Sequence, residues 1–260
     1  TGSGKSTFLN ALLKKFEIYT STPEGFCPEI VWRLDPKKID PGSKEDPINI
    51  PCPSHDHPLL LIPKNHRPNI ISKLLSGWDQ ETKDKIFYSK EFDWLWKKEP
   101  CTICSAIWHA LREKINNPDD IFSMIRVRPI QYNRRIGEGV CIFGSGDKIH
   151  SEDDAIENPP IQEKLDRIFE DSDKIKYVFS RYAKTNNGIY ALMDLKTHNK
   201  TRLMDLHNII SEGLHKVEDI EERVHSLFLA VMNPQDLSSF KEFQSFEDRI
   251  EYIKVPYVMD

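Results

Sequence analysis

The chain has 260 residues and a formal net charge of −5, with 30% charged and 38% hydrophobic residues. This composition is typical of a soluble globular protein of one large or two small domains, and the acidic balance disfavours nucleic acid as a partner. No apolar run approaches the roughly 18 residues that span a bilayer, and no signal peptide is visible. We therefore expect a cytoplasmic protein with no membrane partner, in which the five cysteines serve as metal ligands or core residues rather than disulfides.

The first seven residues match the last part of the phosphate-binding pattern G-x-x-x-x-G-K-[ST]. The pattern predicts that ATP binds to Thr1, Gly2, Ser3, Gly4, Lys5, Ser6 and Thr7. Small residues let backbone N–H groups curl around a phosphate, Lys5 reaches the β- and γ-phosphates, and the Ser6 hydroxyl ligates Mg²⁺. Residues 7–16 predict the helix that follows such a loop, with an apolar stripe. The stripe consists of Phe8, Leu9, Leu12, Leu13 and Phe16. Because the strand that feeds such a loop would precede Thr1, we expect residues 1–260 alone to be poorly stable.

The sequence predicts an irregular, proline-rich segment between Pro23 and Pro68, with one short strand at residues 27–33. Residues 69–107 follow a mostly helical pattern, and a further helix is predicted at residues 105–115. We assign the aromatic residues of this region to the core. They are Trp78, Phe87, Tyr88, Phe92, Trp94 and Trp96. Residues 122–128 predict a strand. Residues 137–146 are rich in glycine but lack a lysine and a clear following helix, so we interpret them as a turn and not as a second nucleotide loop.

Two short motifs in this region, Cys52-x-x-His55 and Cys101-x-x-Cys104, have the spacing of metal-binding half-sites. Two intervening residues allow both ligands of a half-site to turn toward one ion, and three cysteines with one histidine form a closed zinc site. We therefore predict a structural Zn²⁺ bound by Cys52, His55, Cys101 and Cys104. His57 could replace His55, and Cys27 could compete. The alternative is that the thiols are core residues and the histidines lie on the surface.

Two apolar strands in the second half of the chain end in polar residues. Residues 188–195 predict a buried strand that ends at Asp194, where a phosphate-loop ATPase needs a carboxylate for the magnesium ion or the attacking water. After a helix at residues 203–212, residues 226–234 predict a second strand that ends near Asn233. A last strand is predicted at residues 252–256, just after Arg249. The structural alternatives are an ordinary buried strand that ends in an aspartate, and a surface ion pair for Arg249.

The order of phosphate loop, acid-tipped strand, Asn-tipped strand and arginine resembles that of AAA+ ATPases. Residues 246–257 (FEDRIEYIKVPY) are similar, more narrowly, to the end of the ATPase domain in the PrkA family of serine protein kinases, as are residues 186–188, 211–213 and 57–63. The resemblance implies that Asn233 orients the attacking water and that Arg249 acts on the nucleotide of the next subunit in a homo-oligomer. It implies catalytic roles for Lys5, Asp194, Asn233 and Arg249, ATP and Mg²⁺ as cofactors, with Ser6 and Asp194 on the Mg²⁺, and a protein substrate.

These observations predict an α/β fold, namely a P-loop NTPase of AAA+ type with a parallel sheet flanked by helices. The predicted ATPase core comprises residues 1–34 and 121–260, and an inserted irregular or helical subdomain comprises residues 35–120. The AAA+ Asp-Glu pair is replaced by Met193-Asp194, where PrkA-like ATPases carry glutamate at the second position, and no ordinary protein-kinase signature occurs. Two alternatives therefore remain open. One is a protein-remodelling ATPase or a component of an ATP-dependent protease, and the other is a nucleotide-dependent switch with little turnover.

Overall fold

The computed structural model of the chain describes residues 4–144, 155–170, 174–193, 200–233 and 249–255. The helices are α1 (Lys5–Tyr19), α2 (Pro36–Ile39), α3 (Arg67–Leu74), α4 (Gln80–Tyr88), α5 (Asp93–Lys97), α6 (Thr102–Lys114), α7 (Pro118–Phe122), α8 (Pro159–Phe169), α9 (Arg181–Lys184) and α10 (Lys200–Glu212). The strands are β1 (Pro28–Leu34), β2 (Ile48–Pro51), β3 (Ile125–Pro129), β4 (Val140–Phe143), β5 (Ile156–Glu157), β6 (Val178–Phe179), β7 (Ile189–Leu192), β8 (Leu214–Val217), β9 (Ile220–Arg223) and β10 (Leu227–Ala230). Within these ranges, no helix combines the length and the apolar character that a bilayer crossing requires.

Strand β1 is the centre of an antiparallel sheet with the order β2-β1-β3. Ile30, Trp32 and Leu34 are fully buried on one face of this strand, as the two-residue period of a strand requires, and the same apolar cluster contains Ile107 and Leu111 of α6. The sheet crosses both predicted domain boundaries. β1 and β3 come from segments assigned to the ATPase core, whereas β2 comes from the segment assigned to the insertion.

A second sheet is parallel, with the order β10-β7-β4 and β7 in the middle. All four residues of β7 are buried, which is typical of a strand covered on both faces. Ile189 and Ala191 pack with residues of α1, while Tyr190 and Leu192 pack with residues of α10. The sheet therefore has a helix on each face. The interpretation of residues 137–146 as a turn was wrong for residues 140–143, which form β4.

Helix α1 confirms the helix predicted at residues 7–16 and extends it at both ends. Its predicted apolar stripe is narrower than expected. Leu9 and Leu13 are buried and Phe16 is half-buried, but the side chains of Phe8 and Leu12 are 66% and 41% exposed. Only the line of residues that faces the parallel sheet is therefore covered by the described part of the chain.

The end of the described chain differs from the prediction in two places. Gly213, with a left-handed φ of +68°, ends α10 as expected, but a hairpin of β8 and β9 follows that the sequence analysis did not predict. Residues 251–255 form no regular structure, so the strand predicted at residues 252–256 was wrong over the four residues that the structure describes there.

The assignment of the six aromatic residues of this region to the core was wrong for Trp78 and Tyr88. Trp78 and Tyr88 are 55% and 83% exposed, and the other four are half-buried. The small core of this region is aliphatic, formed by Ile71, Leu75 and Leu95, and aromatic rings cover it from outside.

Arg67 holds this helical region together from within. Its side chain is only 1% exposed, and its guanidinium donates hydrogen bonds of 2.7–2.9 Å to four backbone carbonyls. The acceptors belong to Leu60, Ile62, Leu95 and Lys98. The planar guanidinium thus satisfies carbonyl groups of segments before α3 and after α4, which no apolar side chain could do.

Gly188 lies directly before β7, against the backbone of Gly139 at the start of β4. A methyl group on Gly188 would lie 1.8 Å from the carbonyl oxygen of Gly139, and this oxygen also accepts the N–H of Ile189 at 2.9 Å. Since no side-chain rotation can relieve a clash with backbone, we expect Gly188→Ala to lower the free energy of unfolding by at least about 3 kcal/mol.

Urea denaturation of the variant measures this effect. Gly77→Ala is the matched control, because Gly77 is exposed and an added methyl group meets no atom within 4 Å. The control should change the stability by less than about 1 kcal/mol. Equal effects of the two substitutions would contradict the packing described for Gly188.

Candidate functional site

Three cysteines and one aspartate meet between the antiparallel sheet and the start of α6. Cys52 directly follows β2, Asp56 lies four residues later, Cys101 is the N-cap of α6, and Cys104 lies in the first turn of that helix. The three thiols are at most 8% exposed. One ligand atom from each of the four side chains lies within 4.8 Å of the others. This metal cluster, as we call Cys52, Asp56, Cys101 and Cys104, could hold a metal ion such as zinc.

The sulfur geometry of the metal cluster fits a tetrahedral ion. The Sγ atoms of Cys52 and Cys101 lie 3.7 Å apart, whereas a disulfide bond requires about 2.05 Å. In a tetrahedron with zinc–sulfur bonds of about 2.3 Å, the distance between two sulfur atoms is about 3.8 Å. The spacing of the two thiols is therefore compatible with two ligands of one ion and excludes a disulfide bond.

Backbone and indole N–H groups point at the atoms that would bind the ion. The amide of Asp56 donates to Cys52 Sγ at 3.3 Å, the amide of Cys104 donates to Cys101 Sγ at 3.4 Å, and Trp32 Nε1 donates to Cys104 Sγ at 3.4 Å. The amide of Cys101 donates to Asp56 Oδ2 at 2.6 Å. Such donors stabilise thiolate and carboxylate charge, which metal ligands must carry.

The pKa values of the four side chains of the metal cluster are shifted, because four acidic groups lie close together in a buried place. Burial raises the pKa of Cys52 and of Cys104 well above the usual value of a thiol, and it raises the pKa of Asp56 as well. Hydrogen bonds with Cys104 and Cys52 lower the pKa of Cys101. Four negative charges cannot be held together in such a place without a cation. A divalent ion would offset two of these four negative charges.

His55 does not face this cluster. Its Nδ1 lies 2.5 Å from Glu29 Oε2, and its Nε2 lies 3.0 Å from the carbonyl oxygen of Lys184. Its own carbonyl oxygen accepts a 2.7 Å hydrogen bond from Asn187, just before β7. The structure thus brings together three of the four predicted zinc ligands, and it places Asp56 where His55 was expected. His55 instead connects the cluster segment to the parallel sheet.

The candidate ligand that the sequence analysis missed, Asp56, carried a weak signal in the sequence. Asp56 is one residue beyond the expected position, and an aspartate is a common zinc ligand. His55 has a left-handed backbone with φ of +52°. The direction of the chain at that point, which decides whether residue 55 or 56 faces the sulfur atoms, cannot be read from ligand spacing.

The predicted phosphate-binding residues lie at the start of α1. Gly4 has a left-handed φ of +68° and is the N-cap of the helix, with the first helical hydrogen bond running from the amide of Phe8 to the carbonyl oxygen of Gly4. Lys5 is half-buried, and Ser6 and Thr7 are exposed. Thr1, Gly2 and Ser3 lie outside the described residues.

The direction of α1 follows from contacts near its C-terminal end. Phe16 packs edge-on against Tyr132, with 5.3 Å between the ring centroids, and the Tyr132 hydroxyl donates to the carbonyl oxygen of Asn187, two residues before β7. This end of α1 therefore lies at the amino ends of the parallel strands. At 1.5 Å per residue, Lys5 lies about 16 Å further along the helix axis, more than the length of a four-residue strand. We infer that the N-terminus of α1 points toward the carboxyl ends of the strands.

The other predicted catalytic residues follow those carboxyl ends or come later. Leu192 of β7 is paired with Ala230 of β10, and half-buried Asn233 comes three residues after Ala230. Asp194, two residues after β7, lies outside the described residues. Arg249 is exposed in a turn.

Comparison of the chain with models of protein families, with characterised proteins and with solved structures gives no match.

Proposed function

We propose that the chain binds Mg-ATP at the start of α1, as the ATPase module of a AAA+ protein similar to the PrkA serine protein kinases. The observation that carries the proposal is the arrangement of α1. A left-handed Gly4 precedes Lys5 at the start of a helix that packs on a parallel sheet. In phosphate-loop proteins the backbone amides at such a helix start bind the phosphates, and the lysine binds their outer oxygens.

The strand order gives further support to this proposal. In AAA+ proteins the strand that ends in the asparagine lies between the loop strand and the strand that ends in the acid. Here β10, which precedes Asn233, is paired with β7, which precedes Asp194, and β10 has no second partner strand among the described residues. In the proposed reaction Lys5 and the loop hold the phosphates, Ser6 and Asp194 hold Mg²⁺, and Asn233 orients the water.

The remaining parts of the proposal concern the adjacent subunit, the substrate and the cellular compartment. Arg249 would act on the nucleotide of the adjacent subunit in a homo-oligomer, where its charge stabilises the transferred phosphoryl group, and the substrate would be a protein. All five cysteines are free thiols, which supports a reducing compartment such as the cytoplasm.

The experiment that tests the proposal follows γ-labelled ATP with Mg²⁺ and the full-length protein. Labelled protein, lost in Arg249→Ala, would support a kinase that works as an oligomer. Free phosphate without labelled protein would support the remodelling ATPase. Binding of ATP with neither product would support the switch, in which case Asp194→Glu should raise turnover. A protein that binds no ATP would contradict the nucleotide proposal altogether.

A second function is favoured by the metal cluster. We propose that Cys52, Asp56, Cys101 and Cys104 bind one structural Zn²⁺, because the 3.7 Å sulfur–sulfur distance fits a tetrahedral zinc site. Four protein ligands leave no open position for a substrate. The ion would join the end of β2 to the start of α6 and would offset part of the negative charge of the buried thiolates.

The choice of Asp56 over His55 as the fourth ligand is directly testable. We expect Asp56→Asn to lower the zinc affinity by at least about tenfold, because the amide cannot supply a carboxylate ligand. His55→Gln should keep one equivalent of zinc per chain, although it should be less stable because it loses contacts with Glu29 and Lys184. Competition with a chromophoric chelator measures both affinities. A loss of zinc only in His55→Gln would show that the ligand predicted from the sequence spacing is correct.

A further inference from the structure

Two sulfur atoms of the metal cluster are in contact although they come from distant segments. Cys52 and Cys101 are 49 positions apart in the chain, and their Sγ atoms are separated by 3.7 Å. Both residues lie outside helices and strands, since Cys52 follows β2 and Cys101 precedes the first residue of α6. A shift of less than 2 Å would bring the two sulfur atoms to disulfide distance.

Of the three thiols, Cys101 is the most accessible. It lines a small cavity of about 10 Å³ together with Ser54, Thr102, Phe179 and Glu222. Cys104, by contrast, is fully buried, and its sulfur accepts the hydrogen bond from Trp32. Among the three thiols, Cys101 is therefore the one that a small oxidant such as hydrogen peroxide would meet first.

We propose that the metal cluster is an oxidation-sensitive site, in which peroxide converts Cys52 and Cys101 to a disulfide and thereby releases the metal ion. This inference rests on the zinc proposal above.

The Cys101 thiolate attacks one oxygen of hydrogen peroxide, which breaks the O–O bond, gives a sulfenic acid and releases hydroxide. The Cys52 thiolate then attacks the Cys101 sulfur and displaces a second hydroxide. Two protons convert both hydroxides to water, so two thiolates lose two electrons in total and Zn²⁺ leaves without a change of charge.

The disulfide would replace the metal ion as the covalent connection between the same two segments. When two thiolates are lost to the disulfide, only Asp56 and Cys104 remain as protein ligands of the zinc ion. Two ligands are too few for a closed site. The end of β2 nevertheless stays linked to the start of α6. The oxidised chain therefore keeps its fold, and reduction with a dithiol restores the zinc site.

The test treats the zinc-loaded, full-length protein with a small excess of hydrogen peroxide. Released zinc is measured with a chromophoric chelator, and the disulfide is located by mass spectrometry of the digested, non-reduced protein. We expect about one equivalent of zinc to be released together with a Cys52–Cys101 cross-link, and both changes to be reversed by dithiothreitol and added zinc. Cys27→Ser is the matched control, since this half-buried thiol is not part of the metal cluster, and it should behave like the wild type.

The other outcomes separate the two proposals. Zinc that stays bound under peroxide, or a cross-link between Cys101 and Cys104 instead, would overturn this inference but would not contradict the zinc proposal. A protein that holds no zinc before treatment would overturn the zinc proposal and this inference with it. Because the cross-link is mapped in the unmodified chain, the result does not depend on whether a cysteine variant folds.

Discussion

Cys104→Ser is expected to abolish zinc binding and to lower the melting temperature of the protein by about 10 °C. The Cys104 side chain is fully buried in the apolar cluster that joins α6 to the antiparallel sheet. Its sulfur accepts the hydrogen bond from Trp32. Loss of a structural metal is one of the few changes that cost about 4 kcal/mol or more, and each kcal/mol corresponds to about 2–4 °C in a chain of this size. Differential scanning calorimetry and metal analysis of the same sample measure the two effects.

The matched control for this substitution is again Cys27→Ser. Cys27 is half-buried just before β1, outside the metal cluster. It should keep one equivalent of zinc and should melt within about 3 °C of the wild type. If chelation of the wild type left its melting temperature unchanged, the metal would have no structural role, whatever the effect of Cys104→Ser.

Lys5→Ala is expected to weaken Mg-ATP binding by about 100-fold. A lysine at the start of a phosphate-binding helix forms charge-assisted hydrogen bonds with the phosphate oxygens, and the loss of such contacts costs about 3 kcal/mol, which corresponds to about two orders of magnitude in affinity. Isothermal titration calorimetry with ATP and Mg²⁺ gives the dissociation constants of variant and wild type.

Lys14→Ala provides the control on the same helix. Lys14 is exposed and lies nine residues further along α1, so its removal changes the charge of the helix equally but touches no predicted phosphate contact. Its affinity for ATP should stay within about twofold of the wild type. If both variants lost affinity to the same extent, the effect would come from net charge, and the start of α1 would not be the binding site.

The sequence predicted those parts of the fold that have a strong local pattern. The helix after Gly4, the buried strand before Asp194 and the strand before Asn233 all carry clear apolar periodicity, and the structure has α1, β7 and β10 there. The sequence also predicted that the three cysteines meet, since the Cys-x-x-Cys spacing at a helix start directs the thiols of Cys101 and Cys104 to one side. These features depend on residues that are close in the chain.

Other features depend on contacts that the local pattern does not contain. Strand β4 has four residues between glycines, and it is a strand only because β7 lies beside it. Trp78 and Tyr88 have helical spacing, but the described chain places no element over them. Asp56 became a candidate ligand only when the backbone direction at His55 was visible. Each of these features depends on the three-dimensional arrangement of the chain and not on the local pattern of residue types.

The pairing of β1 with both neighbours sets an order of events during synthesis of the chain. β2 begins 14 residues after the end of β1, whereas about 90 residues separate β1 from β3. At a synthesis rate of about 5–20 residues per second, β3 leaves the ribosome roughly 5–20 seconds after β1. During this time one edge of β1 is covered by β2, and the other edge, with its apolar side chains, has no partner. The nascent chain therefore passes through a stage in which an aggregation-prone strand edge is open, and the helices α3 to α6 emerge within that interval.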